Sequence, residues 1–364
     1  MMPTKSKPAK TINIALQGGG AHGAFAWGVL DYLLEDGRVD IEGICATSAG
    51  TMNACALAAG MKSGGPEKAR ESLHDFWWNI HAEGLKYNPV RRLPWERMAM
   101  RMSDNILGHF LFETMTKILS PYQYNPFDIN PLRDVLKKSV NFDDIKGCKD
   151  VKLFISATNV RSGKVHVFET KDVTLDVAMA SACLPFLFKA VTVEKQDYWD
   201  GGYMGNPALF PLFYKTKSRD VVIVHINPIE RKTTPKDAAD IMNRINEISF
   251  NSSLLSEMRA IAFVKKLIEH DMLKDEHKKD FKNMLVHSVR TDEALADLSV
   301  ASKFDTDWGF LTMLRDIGRD TMKLWLTAHF DDLGKRDTVD LHDEFLTSNT
   351  KIFEDEHGNH RHYG

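Results

Sequence analysis

Three short stretches of the chain carry groups that could act on one substrate. The first is Glu42-Gly43-Ile44-Cys45-Ala46-Thr47-Ser48-Ala49-Gly50. Its apolar run at 44–46 reads as the end of a buried strand, and the segment from Ala49 onward, rich in Ala, Met and Leu, reads as a helix. Ser48 then stands on the corner. A serine on a sharp strand-to-helix turn has its hydroxyl pushed clear of the backbone, and the first amides of the helix face whatever that hydroxyl attacks. The stretch is a G-x-S-x-G elbow with Ala46 in place of the first glycine and Gly50 as the second. Taken alone, the same residues fit plain helix capping.

The second stretch, Gly18-Gly19-Gly20-Ala21-His22-Gly23, follows an apolar strand at 11–17 and precedes a helix at 24–34. Strand, glycine turn and helix form a nest of backbone amides aimed at an anion. Gly18-x-Gly20-x-x-Gly23 matches the dinucleotide fingerprint, with Asp40 or Glu42 standing about 20 residues on as the ribose-binding acid. The other anion such a nest could serve is the oxyanion that forms on an ester carbonyl during acyl transfer. A tight turn that needs glycine only for packing is a third reading. The second strand, at 38–46, delivers Ser48 to the same sheet edge, because both turns follow the carboxyl ends of parallel strands. A nicotinamide enzyme needs an acid at the end of that strand, whereas an acyl hydrolase needs a hydroxyl nucleophile there.

The third stretch is Asp200-Gly201-Gly202 at the end of an apolar and aromatic strand. Two glycines let the backbone turn sharply, so the carboxylate can be buried and aimed, although an Asp-Gly-Gly sequence also makes an ordinary turn. His225, near the end of a strand at 220–227, completes the chain order of a Ser-Asp-His triad with Ser48 and Asp200. A hydrogen-bonded core histidine fits that position equally well.

The elements that must position these groups alternate strand, turn and helix, which predicts an α/β fold with a mostly parallel central sheet. Residues 151–160 and 165–168 read as a strand pair, 131–138 and 174–182 as short helices. The stretch 66–119 is helical, aromatic and methionine-rich, with Phe76-Trp77-Trp78, Trp95, Met98, Met100 and Met102. It fits a flexible apolar covering over a lipid site or an ordinary helical layer. Segments 236–248, 254–273 and 310–330 have helical periodicity and read as a helical extension.

With 364 residues and a formal charge of −3, the chain can bury a large core, and its near-neutral balance argues against nucleic acid as a partner. Cys45, Cys55, Cys148 and Cys183 lack C-x-x-C spacing and read as reduced thiols, which favours a cytoplasmic protein. Lys5, Lys7 and Lys10 precede an apolar stretch, but Asn13, Gln17, His22 and four glycines interrupt it, so it reads as a disordered leader and a strand rather than a signal peptide. Export that ignores N-terminal signals stays open. The terminal His357, His360 and His362 read as a solvated tail.

Together the three ordered stretches resemble the patatin-like phospholipases, over roughly residues 11–206. The resemblance implies a three-layer α/β/α domain at 11–226; the residues themselves place a leader at 1–10, the helical extension at 227–350 and a flexible tail at 351–364, and the resemblance says nothing of the extension's role. It further implies a Ser/Asp dyad without a catalytic histidine: Ser48 as nucleophile, Asp200 as its base, and the amides of Gly18, Gly19 and Gly20 as the oxyanion hole. His22, Gly23, Ala46, Gly50, Gly201 and Gly202 would support these motifs. The implied reaction is hydrolysis of an acyl ester of a phospholipid or related lipid through an acyl-serine, with no metal or organic cofactor. Transient contact with a membrane surface and a homodimer through the extension are further expectations. The family usually carries Arg or Lys where this chain has His22, so positive charge near the donors is expected to be weaker or pH-dependent. The alternatives are the dinucleotide-binding oxidoreductase and a catalytically silent lipid-binding relative.

Overall fold

A computed structural model describes residues 10–87, 119–231, 233–278, 281–290, 298 and 301–346. The lysine-rich leader, the stretch with Trp95, Met98, Met100 and Met102, and the tail with His357, His360 and His362 lie outside the described residues.

The central sheet has eight strands: β1 (Lys10–Leu16), β2 (Val39–Ala46), β3 (Lys152–Asn159), β4 (Val165–Glu169), β5 (Val191–Val193), β6 (Gln196–Asp200), β7 (Asp220–Val224) and β8 (Leu285–Val289). Their order is β5-β6-β3-β2-β1-β7-β8, with β4 also paired to β3. The run from β3 to β8 is parallel, and β4, β5 and β6 add antiparallel pairs at the other side. Successive side chains of a strand point to opposite faces, so both faces are filled. Ile12, Ile14, Leu16, Val222 and Val224 enter one apolar layer, whereas Ala15, Val221 and Ile223 enter the other.

The first layer is covered by α1 (Gly23–Asp36), α2 (Ala49–Tyr87) and α3 (Pro131–Ser139), then α4 (Leu175–Ser181) and the late helix α6 (Trp308–His329). The second layer is covered by α5 (Ala238–Glu269) through Leu254, Met258 and Ile261. This is a three-layer α/β/α architecture with a helical C-terminal region. α2 breaks at Gly64 and Gly65, whose dihedrals are not helical, and Pro66 follows at the restart. A proline in the first turn of a helix gives up no intrahelical hydrogen bond.

Two features after residue 226 differ from the sequence-based expectation. The helices expected at 236–248 and 254–273 are the single helix α5, and β8 extends the same sheet as β7 in parallel register. The C-terminal region therefore supplies a strand as well as helices. It is also joined tightly to the first crossover: a Cβ on Gly28 would strike the Arg315 carbonyl, and one on Gly318 would strike that of Phe25. α1 and α6 thus pack backbone against backbone, which only glycine permits.

The pairing of β3 explains how distant residues meet. Its first half, up to Ile155, pairs with β2, and its second half, from Ala157, pairs with β6. β4 overlaps both stretches, so it takes one edge of β3 while β2 and β6 share the other. β2 and β6 run in opposite senses along that edge, and their ends, Ala46 and Asp200, face each other across Ser156. The chain leaves β2 toward Ser48 where β6 delivers Asp200.

Candidate active site

Ser48 has φ of 54°, in the left-handed region that a non-glycine residue enters at a steric cost. The turn holds it there. The Ser48 amide donates to Ser181 Oγ at 3.0 Å, and that hydroxyl lies 2.8 Å from Thr51 Oγ1. Thr47 donates through Oγ1 to the Gly205 carbonyl at 2.6 Å. A Cβ on Gly50 would run into the Leu16 backbone, so glycine lets α2 start against the end of β1. Ala46 lies in strand β2, where a methyl group costs nothing in backbone energy.

Asp200 is fully buried at the end of β6. Its backbone is pinned on both sides, its amide donating to the Cys183 carbonyl at 2.7 Å and its carbonyl accepting from Thr158 Oγ1 at 2.8 Å. Oδ1 accepts from the Gly202 amide at 2.7 Å. Oδ2 is buried and has no formed hydrogen bond among the described residues. Burial pushes the carboxyl up to about 6, while the Gly202 amide and the nearby Ser48 hydroxyl pull it partly back. Ser48 is near enough to lower the carboxyl's pKa, and no hydrogen bond between the two side chains is formed among the described residues. Gly201 and Gly202 are needed for space, since a Cβ there would strike the Ser156 carbonyl and the Phe250 ring.

The glycine turn stands directly against the serine. A Cβ on Gly18 would lie 2.6 Å from Ser48 Cβ, and one on Gly23 would lie 2.7 Å from Ala49 Cβ. The Gly18 amide, expected as an oxyanion donor, is already spent on Asn206 Oδ1 at 2.6 Å. The amides of Gly19 and Gly20, by contrast, donate to no acceptor among the described residues. Gly20 has φ of 61°, which suits glycine. Gly19 and Gly20 are thus the residues of this turn whose amides stay open among the described residues.

His22 follows in the same turn. It is buried, its Nε2 lies 2.7 Å from Ser302 Oγ, and burial followed by the charge of Lys303 pushes its pKa down to about 3. It is a neutral hydrogen-bonding group with no charge to titrate near neutral pH. A lysine also stands beside the turn: Lys303, in the 3-10 turn Ala301–Phe304, donates through Nζ to Asn227 Oδ1 at 3.1 Å. Burial lowers the Lys303 pKa and Glu247 partly restores it.

The Ser-Asp-His triad is not assembled. His225 is buried, stacks on Phe345 at 6.1 Å, and neither ring nitrogen has a hydrogen-bond partner among the described residues. The ribose acid of the dinucleotide reading is likewise misplaced: Asp40 pairs with Thr11 at the start of β1, and Glu42 falls at the register shift between the Ile12–Ile41 and Asn13–Gly43 pairs, both away from the glycine turn. Glu42 is occupied by Lys152 and the amides of Lys217 and Ser218. No cluster of metal-ligating side chains occurs among the described residues, and no helix there is long and apolar enough to cross a membrane.

Sequence reasoning passed over the residues that support the site from outside the motifs. Gln17 Oε1 accepts from the amides of Ile226 and Asn227, and its Nε2 donates to Asn251 Oδ1 at 3.1 Å. Ser253 Oγ accepts from the Asn206 amide, and Phe250 covers Gly202. The available signal was the position of Gln17 and Asn227: polar residues just past the apolar ends of adjacent parallel strands, at the edge where ligands bind.

The geometry can be set beside known proteins. No curated protein sequence matches the chain significantly. Among solved structures, VipD from Legionella pneumophila is 15% identical, with 92% of this chain and 72% of that one covered and a TM-score of 0.38. ExoU in its complex with SpcU from Pseudomonas aeruginosa is also 15% identical, with 88% and 53% covered and a TM-score of 0.31, so the chain spans about half of ExoU. These overlaps are too loose to argue from. The patatin-like phospholipase profile, however, matches residues 14–213, more than half of the chain and the segment that holds Ser48, Asp200 and the glycine turn, and the chain therefore belongs to the patatin-like phospholipase family.

Proposed function

We propose that the chain hydrolyses acyl esters of phospholipids or related lipids with Ser48 as nucleophile, Asp200 as general base and the Gly19 and Gly20 amides as oxyanion donors. The observation that carries this reading is a strained, partly exposed serine near enough to lower the pKa of a buried carboxylate whose second oxygen has no hydrogen bond among the described residues. Ser48 Oγ attacks the ester carbonyl carbon and its proton passes to Asp200 Oδ2. The carbonyl oxygen becomes an oxyanion facing the glycine turn, where each donor is worth roughly 3 kcal/mol in comparable sites. Collapse of that intermediate expels the alcohol, which takes the proton back from Asp200 and leaves an acyl-serine. Water attacks next, gives its proton to Asp200, and the acid departs as Ser48 recovers a proton. A carboxyl held at about 6 by burial is a better proton acceptor than an ordinary aspartate and is still ionised at neutral pH.

Contact with a lipid surface forms part of the same proposal. Phe186, Tyr203, Met204 and Phe210 are exposed on the segments flanking Asp200, and Ile241, Ile245 and Ile248 are exposed along α5. Tyr203 packs on Phe250 of that helix, which links the two sets. Clustered exposed apolar side chains of this kind mark sites of membrane or ligand contact.

The direct test is labelling with a fluorophosphonate followed by mapping of the modified residue, alongside turnover of phospholipid vesicles. Wild-type protein should be modified at Ser48 and release fatty acid, and Ser48→Ala should do neither. Vesicle binding without labelling or release would instead identify a catalytically silent relative.

A further inference from the structure

We propose that Lys303 and Asn227 form a polarising relay behind the glycine turn, with Lys303 a positioning residue that strengthens the Gly19 amide as an oxyanion donor. This rests on the reading of that turn as the oxyanion site.

The relay consists of two hydrogen bonds and one peptide group. Asn227 Nδ2 donates to the Gly18 carbonyl at 2.7 Å. That carbonyl and the Gly19 N–H are the two ends of a single planar peptide unit. A donor that draws electron density onto the oxygen leaves the N–H more positive and fixes the plane in which it points. Lys303 Nζ acts on Asn227 in the same way, donating to Oδ1 at 3.1 Å so that Nδ2 becomes the stronger donor. Hydrogen bonds in such chains reinforce one another, most of all in a poorly solvated interior.

The orientation of Asn227 is not arbitrary. An ammonium can only donate and a carbonyl can only accept, so the two neighbours together assign Oδ1 to Lys303 and Nδ2 to Gly18. The residue is buried and held in place, its amide donating to Gln17 Oε1 at 3.1 Å and its carbonyl accepting from Asn251 Nδ2 at 3.4 Å.

The alternative is that Lys303 merely anchors its own segment. That segment is already docked on the turn by the bond between Ser302 and His22 and by the Lys303 backbone, which lies where a Cβ on Gly20 would be. Anchoring therefore has other means, while no other cationic group bonds to Asn227 among the described residues.

A soluble short-chain ester separates the two roles, because its KM is free of vesicle effects. Lys303→Met should lower kcat roughly tenfold, less than the roughly hundredfold or greater loss on deleting an oxyanion donor outright, with KM and thermal midpoint nearly unchanged. The rate of fluorophosphonate labelling should fall in parallel, and Lys303→Arg should recover most of both. Asn227→Asp keeps the acceptor for Lys303 but cannot donate to Gly18 from an ionised carboxylate, so it should lose at least as much. It carries the test alone if Lys303→Met unfolds. The relay is overturned if both variants keep kcat within about twofold, or if kcat falls only as the folded fraction falls. Ser48→Ala is assayed beside them: activity there rejects the site itself, whereas a dead Ser48→Ala with a fully active Lys303→Met rejects the relay alone.

Discussion

The turn after β2 and the turn after β1 end side by side at one edge of the sheet, but they draw support from different parts of the chain. Ser48 and its neighbour Thr47 are held by Ser181 and Gly205, and Asp200 by Gly202, Cys183 and Thr158. All of these lie inside the segment that matches the family. The glycine turn meets Ser48, Ala49 and Asn206 from that segment, yet it also rests on Ile226 against Gly19, Asn227 on the Gly18 carbonyl, Ser302 on His22 and Lys303 over Gly20, all from beyond residue 213. The proposed nucleophile and base are held within the family-matched segment, and the proposed donor side is completed by residues beyond 213. Damage to that later region should therefore weaken oxyanion support while leaving Ser48 and Asp200 in place.

The largest effect expected is on the nucleophile side. Asp200→Asn keeps the shape and the bond from Gly202 but removes the proton acceptor, so turnover should fall by about 10²–10⁴. Its stability should move the other way. Burial raises the folded-state carboxyl to about 6, above its ordinary value, so the folded protein holds that proton to higher pH than the unfolded chain does. The stability contribution of Asp200 is thus greatest below pH 4 and declines as pH rises through the window from about 4 to 6. Asp200→Asn should accordingly melt higher than wild type at pH 7, by roughly 1–3 kcal/mol, with the gap closing near pH 4. A lower melting point at pH 7 would mean that the carboxylate is a stabilising ion and not a strained base.

Next in size is a change made far from the reacting atoms. Gly318→Val would drive a side chain into the Phe25 backbone and pry α6 from α1, at a cost of about 2–3 kcal/mol. Since α6 follows the segment that carries Lys303, the residual folded protein should lose kcat on a soluble ester while fluorophosphonate still finds Ser48 as its target. Unchanged kcat in the folded fraction would show that the donor side does not depend on the C-terminal third.

The smallest effect concerns which group sets the acidic limb of activity. kcat/KM should fall as pH drops through about 6, where Asp200 takes up its proton. His22, already neutral down to about 3, should contribute nothing. His22→Gln, which retains a hydrogen-bonding group toward Ser302, should leave the midpoint of that limb where it was. A shifted midpoint would transfer the titration from Asp200 to the glycine turn.

Much of this was legible in residue types and spacing. Small residues around Ser48, a run of glycines after an apolar strand, and Asp200-Gly201-Gly202 after another are local requirements, because tight turns leave no room for other side chains. The failures share a different cause. The polar stretch Ser249-Phe250-Asn251-Ser252-Ser253 looked like a break between two helices, yet it is the part of α5 that faces the site. Asn251 reaches Gln17, Ser253 receives the Asn206 amide, and Ser249 and Ser252 return their hydroxyls to carbonyls of the helix itself. β8 mixes Leu285, Val286 and Val289 with His287 and Ser288, which blunts its apolar signal, and it is a strand because β7 offers it an edge.

The sequence by itself determined the turns and the side chains we propose to react, since those follow from backbone sterics within a few residues. It could not say which amides stay open, whether His22 is charged, or that Lys303 stands behind the donors. Those outcomes depend on who meets whom across about 200 to 300 residues of chain, where burial removes charge from one group and a neighbour's hydrogen bond occupies another. Only the packed tertiary structure brings such partners together, so only it decided them.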